Sequence, residues 1–291
     1  MSLSDRTPTT ATRATYYWEP AIYTNRVIEA VKNELICWDA VDTSWESDLK
    51  KGDILYIPKT NTVVASEVVV GTKGTALNPF NTAGVSLTIN QWWQAPIDID
   101  TMTLRQTHAA METYAVDESK YAVALKMDST INALFSSLGG YSTSAYGTDG
   151  QTLDDTIILY LVQVLKEANV PKNDWVMIGD PSTLIDMLKI DKLVAATYGN
   201  AGPVNNGIIG KSVYGFQFRE TNNLTAVSGG TGSYGVLMQK KAIGGAAQMS
   251  PETSWREEYK ELHQIRFHSE ALWGVAEVND SFGIPFFTRH A

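Results

Sequence analysis

Glycine, histidine, carboxylate and thiol side chains are where chemistry would show in this chain, and each set can be tested by its spacing. Gly230, Gly232 and Gly235 in GGTGSYG repeat the dinucleotide-binding glycine pattern. That pattern serves a cofactor only between a buried strand and a helix whose N-terminus faces the pyrophosphate. Here VLMQKKAI follows and reads as a strand, so a loop is expected and a cofactor is not. NNGIIGKS ends like a phosphate loop at Gly210, Lys211 and Ser212, but Asn205 stands where the first glycine belongs, and a turn entering a strand is expected instead. His108, His263, His268 and His290 do not form a ligand set: His263 and His268, five apart on an expected strand, point to opposite faces. Asp98 and Asp100 share a strand face, and a solvated face or a salt bridge is favoured there over a cation site. No GxSxG elbow is present. Cys37, in the apolar stretch LICWDA, reads as a buried structural thiol. The sequence thus offers no catalytic residues, no cofactor and no metal site, and an enzyme is not expected.

Composition points the same way. The 291 residues are 44% hydrophobic, enough for a substantial core divided into more than one lobe. With 23 Lys plus Arg against 32 Asp plus Glu, the net charge is -9, which leaves no broad cationic footprint for a phosphate backbone. A single cysteine excludes intrachain disulfides and multi-cysteine zinc sites. Neither a signal peptide nor a membrane span is apparent, so a cytosolic chain is expected.

The elements that would carry these side chains read as follows. Residues 1–15 have the composition of a mobile tail; Tyr16, Tyr17 and Trp18 open the structured part. Pro20 suits a first helical turn, and Ile22, Val27, Ile28, Val31 and Leu35 mark one apolar helical stripe. From Lys51 the pattern becomes strands: KGDILYIP, ASEVVVG and VSLTINQWW, so that Lys51 to Pro96 looks like a long β-hairpin with too few apolar residues at its tip for a core of its own. Helical spacing returns from Asp117, expected as an N-cap, to Leu138, with Gly139 and Gly140 ending it. A second helix starts near Thr152 and Asp155 and buries Ile158, Leu161, Leu165 and Ala168. WVMIG followed by Asp180 and Pro181 is a strand running into a capped helix. In the final run Ile265, Phe267, Ala271, Trp273 and Val275 alternate with Gln264, Arg266, His268 and Glu270, a strand lying beside the Asp117 helix.

The order of these parts resembles the major capsid proteins of tailed double-stranded DNA bacteriophages. The segments that carry the resemblance are YYWEPAIYTNRVIEAVKNELICWDAVD, KGDILYIP, KYAVALKMDSTINALF, WVMIGDPSTLIDML, GIIGKSVYGFQF, GVLMQKKAIGGAAQ and FGIPF, covering nearly all of the chain from about Tyr16. Individually the motifs are loose, and their order carries the weight. The resemblance implies an α+β chain with the Hong Kong 97-like capsid fold. Its N-terminal arm would span 1–46, its E-loop β-hairpin 47–96, its peripheral domain with a spine helix 97–152 and 242–291, and its axial domain 153–241. It also implies a homo-oligomer, pentamers and hexamers closing into an icosahedral shell in the virion, with the shell assembled in the bacterial cytoplasm. A scaffolding protein, a portal and, in some relatives, a decoration protein would be partners; packaged DNA would be held without sequence-specific binding, and no membrane is involved. Tyr16, Trp18, Trp92 and Trp93 are the expected aromatic anchors between subunits, and Lys73, Asn78 and Phe80 near the hairpin tip the expected intersubunit contacts. An encapsulin-type bacterial compartment shares the implied fold. A small α/β enzyme, or a tail or decoration protein, is the reading from another class.

Overall fold

A computed structural model describes residues 32–33, 35–48, 52–60, 82–102, 111–140, 145–190, 214–259 and 263–289, with isolated positions 63, 65, 67 and 70. The expected arm helix from Pro20, the strand ASEVVVG and the turn GTKGTALNPFNTAG lie largely or wholly outside these residues.

Two strands form the hairpin: β1 (Ile54–Thr60) pairs antiparallel with β2 (Thr82–Thr88). The hairpin ends at Thr88 and not at Pro96. VSLTINQWW reads as one alternating run, but Ile89 and Asn90 break it, and β3 (Gln91–Asp100) leaves to pair with β8 (Gln264–Glu277). β8 is the middle strand of a three-stranded antiparallel sheet whose other edge is β7 (Ile243–Tyr259).

Helix α1 (Met111–Asn132) lies across one face of this sheet. Its start is six residues before Asp117, which sits inside the helix and is no cap. The buried stripe also differs from an apolar reading: Ser119, Asp128 and Asn132 are buried beside Val123, Met127 and Ile131. Ile265, Phe267, Ser269, Ala271 and Trp273 of β8 are buried while Gln264, Arg266, His268, Glu270 and Leu272 are half-buried, the period-two alternation of a strand covered on one side. The covering residues are Val123 and Met127 against Ala271 and Trp273, and Ala115 and Val116 against Ile265, Phe267 and Ile99.

The second sheet has the order β5 (Phe216–Glu220), β4 (Trp175–Gly179), β6 (Gly232–Gln239), β9 (Gly283–Arg289), with only β4 and β5 parallel. β9, which takes up GIPF of the FGIPF segment, thus joins β6 and not the sheet of β7 and β8. All five residues of β4 are buried, because both its faces are covered. Trp175 and Met177 face α2 (Asp155–Glu167) through Ile158, Leu161 and Leu165. Val176 and Ile178 meet Ile131, Phe135 and Leu138 together with Cys37 and Val41. Ala168, expected on the buried side of α2, is exposed at its C-terminal end.

α3 (Pro181–Leu188) begins as the sequence predicts: Asp180 accepts from Thr183 N at 3.0 Å, and Pro181 occupies the first turn. Asp186 of α3 is buried and accepts from Leu153 N at 3.2 Å and from Arg289 Nε at 3.1 Å and Nη2 at 2.8 Å. One carboxylate therefore joins the entry to α2, helix α3 and the last strand.

Candidate subunit-contact surface

The glycine pattern that could have cradled a phosphate is occupied from within. Asp149 accepts from Thr231 N at 2.8 Å and Gly232 N at 2.9 Å, which fills the concavity that successive backbone amides make. A Cβ on Gly230 would come within 2.4 Å of Asp149 Oδ2, and one on Gly232 within 1.9 Å of Thr288 O. Gly235 begins no helix: it lies in β6 against the Phe286 ring. Close packing explains the three glycines, and the loop expected over them is confined to Gly230, because Gly232 and Gly235 belong to strand β6. Gly210 to Ser212 lie outside the described residues.

Other candidate groups are also paired. Asp98 accepts from Arg266 Nε at 2.5 Å and Nη2 at 2.7 Å, and Asp100 accepts from Gln264 Nε2 at 3.0 Å. The Arg266 hydrogen bonds hold the Asp98 carboxyl below its ordinary value. His263 adopts a left-handed turn conformation (φ 52°) at the head of β8, and His268 lies within that strand. Among the described residues no three His, Cys, Asp or Glu side chains come together as a metal site, and no helix is long and apolar enough to cross a membrane. Cys37 is fully buried, and burial and the neighbouring Asp128 push its thiol far up. His108 and His290 are outside the described residues.

What the chain does present is apolar surface on two strands. β3 alternates, so Trp92 and Trp93 point to opposite faces. Trp93 turns toward α1, where Lys126 Nζ sits 4.5 Å from its ring centre and Gln91 Oε1 accepts its indole N–H at 3.1 Å. Trp92 stands on the other face beside Leu272, with its indole N–H donated to Glu270 Oε2 at 3.1 Å, and is 71% exposed. That face carries the Asp98–Arg266 and Asp100–Gln264 pairs.

The hairpin base rests on the same side of the sheet. Leu55, Ile57, Leu87 and Ile89 pack with Leu272, Ala276, Ala246, Val278 and Trp45. Gly274 makes this possible: a Cβ there would lie 2.3 Å from Thr88 O. The opposite face of β1 is bare, with Tyr56 74% and Ile54 41% exposed and Pro58 beside them. Sequence reasoning did not single out Ile54 and Tyr56. The signal was present in DILYIP, where both strand faces are apolar although a solvated hairpin needs only one.

Of the expected contact residues, Trp92 and Trp93 are both exposed, on β3 of the three-stranded sheet and not on the hairpin. Tyr16, Trp18, Lys73, Asn78 and Phe80 lie outside the described residues.

The architecture, a helix-backed three-stranded sheet, a second α/β sheet and a projecting two-stranded hairpin, is that of the subunits of tailed-phage capsids. A structure from Mycobacterium phage Che8 superposes with a TM-score of 0.78 at 19% identity, covering 92% of this chain and 97% of that one. The capsid of cyanophage P-SCSP1u gives 0.72 at 14% identity, covering 95% and 94%. The mature capsid of bacteriophage PhiM1 gives 0.66 at 14%, covering 92% and 91%. No family model and no curated protein matches the sequence. The fold is therefore the capsid fold, an α+β arrangement shared at low sequence identity.

Proposed function

We propose that this chain is the major capsid protein of a tailed double-stranded DNA bacteriophage, a structural subunit and not an enzyme. The observation that carries the reading is the likeness to phage capsid structures, which covers more than nine-tenths of both chains in each comparison. The exposed apolar surface agrees. A hairpin with one face on its own lobe and Ile54, Tyr56 and Pro58 open on the other needs a second surface, and another copy of the chain supplies it.

Function in such a protein is assembly. Copies close into pentamers and hexamers through heterologous contacts, and these rings form an icosahedral shell around DNA. Individually weak contacts hold because each subunit makes many. Trp92 and Trp93, with Tyr16 and Trp18, act as aromatic anchors, and Lys73, Asn78 and Phe80 as contacts made by the hairpin tip. With a net charge of -9 the shell encloses DNA without gripping it. A scaffolding protein and a portal are the expected assembly partners.

The test is expression with scaffolding and portal proteins, followed by size-exclusion chromatography and negative-stain microscopy. Closed shells containing nucleic acid support the reading. A stable monomer that forms no shells under those conditions overturns it. Shells holding one co-purifying enzyme and no nucleic acid overturn the phage assignment while leaving the shell role intact.

A further inference from the structure

The hairpin and the two larger sheets are all open, so each ends in edge strands whose backbone N–H and C=O groups look outward. Most of these edges are guarded. In an antiparallel ladder, residues bonded to the partner strand alternate with residues whose backbone groups point away from it. On β3, Thr101 N donates to His263 O at 2.9 Å, and the register then turns Trp92, Gln94, Pro96, Asp98 and Asp100 outward. Pro96 removes an N–H from the middle of that row. β9 carries Pro285 outward and is covered there by Tyr146, which donates to Pro285 O at 2.8 Å and accepts from Phe287 N at 3.0 Å. β7 is bridged by Asp42 at Gly244 and shifts register at three places. β5 is five residues long and holds Arg219 and Glu220. Short, charged, irregular or proline-bearing edges resist the addition of another strand.

The hairpin has one guarded edge and one clean edge. Ile89 N donates to Asp53 O at 2.8 Å, so the bonded pairs continue as Leu55 with Leu87, Ile57 with Val85 and Lys59 with Ala83. The outward groups of β1 belong to Ile54, Tyr56, Pro58 and Thr60, and Pro58 breaks that row. Those of β2 belong to Thr82, Gly84, Ser86 and Thr88. Thr88 O lies against Gly274 of β8, which closes that end of the row. Gly84 and Ser86 are exposed, and among the described residues nothing bonds their outward N–H and C=O groups. β2 runs for seven residues, TAGVSLT, with no charge, no proline and no register shift.

We propose that the β2 edge is a strand-addition site, filled in the shell by an extended segment of another copy of this chain. The proposal rests on the capsid reading above and names the bonding of the hairpin contact. Strand addition needs main-chain donors and acceptors at alternate residues, and Gly84 and Ser86 supply both without bulky side chains beside them. Continuity selects the occupant. Ile54 and Tyr56 stand exposed on the same hairpin, and the copy that covers them brings its own chain beside β2. An unguarded edge on a chain that guards its others is an edge in use.

Hydrogen exchange resolved to single amides tests this on the wild-type chain, first as the free subunit and then in shells formed with scaffolding and portal proteins. In the free subunit the Gly84 and Ser86 amides should exchange faster than those of Val85 and Leu87, which the ladder protects. In shells the Gly84 and Ser86 amides should slow by at least ~10-fold. Ser86→Pro removes an outward donor and no ladder bond, and Val85 before it is already extended. The free variant should therefore melt as wild type does, while the concentration needed for shells rises ~10-fold. Ser86→Ala keeps the amide and should assemble as wild type does. Wild-type shells in which both amides exchange as in the free subunit overturn strand addition and leave the capsid reading standing, whether or not Ser86→Pro folds. Ser86→Pro shells at the wild-type concentration do the same. Protection that disappears when the scaffolding protein leaves the shell overturns the second copy as occupant. A wild type that forms no shells at all overturns both readings.

Discussion

Replacing Trp92 by alanine separates contact energy from folding energy. A tryptophan carries on the order of 200 Å² of surface, and with 71% of it exposed about 140 Å² is free for a neighbour. Covering that area at about 25 cal/mol per Å² contributes ~3.5 kcal/mol at most, of which truncation to alanine removes ~2–3 kcal/mol. This corresponds to a contact weakened ~30- to 150-fold. Within the chain, Trp92 gives up only its covered edge and one exposed hydrogen bond to Glu270. The fold should lose under about 1 kcal/mol, a shift of less than ~3 °C in melting temperature. Unassembled Trp92→Ala protein should therefore melt by circular dichroism almost as wild type does, while the concentration needed for shells, followed by light scattering, rises at least ~30-fold. Shells forming at the wild-type concentration would refute the anchor role. So would a melting temperature lowered by more than ~5 °C, because Trp92 would then belong to the core.

Three further substitutions test the packing. Gly274→Ala places a Cβ 2.3 Å from Thr88 O, so the hairpin base must lift from the sheet; chemical denaturation should show a loss of ~2–3 kcal/mol, and hydrogen exchange should rise first in residues 52–60 and 82–90. Asp186→Ala leaves the Leu153 amide and the half-exposed Arg289 without their acceptor, and should cost ~2–3 kcal/mol and expose β9 to proteolysis before the rest of the chain. Leu165→Ala opens a cavity between α2 and β4 and should cost ~2–5 kcal/mol by the same denaturation assay.

Much of this fold is legible in the sequence, and the exceptions have physical reasons. The alternation of Ile265 to Trp273 fixes the buried face of β8, and Asp180 with Pro181 marks the start of α3, because both signals are local. The start of α1 is not marked by Asp117, since a capping residue is also tolerated within a helix when its side chain faces solvent. The stripe of that helix is blurred because Ser119, Asp128 and Asn132 are buried for their hydrogen bonds and not for hydrophobicity. The break at Ile89 and Asn90 is invisible in VSLTINQWW: both sides alternate alike, and only a change of partner, from β1 to β8, divides them. FGIPF likewise carries no sign of which sheet it joins. Among the contact residues, Trp92 and Trp93 declare themselves by type, whereas Tyr56 becomes noticeable only when its neighbours Leu55 and Ile57 are found to use the opposite face.

β8 has a consequence for how such a chain can change over generations. Its odd-numbered residues from Ile265 to Trp273 form the covered face toward α1, while Arg266, His268 and Glu270 lie on the other face, where Arg266 pairs with Asp98 and Glu270 accepts from Trp92. The two sets lie on one strand yet face separate constraints, so the outward set can drift to suit new neighbours while the inward set keeps the helix seated. Insertion or deletion of a single residue would exchange the two sets at once. Point substitution on such a strand is therefore expected to be tolerated where a change of length is not.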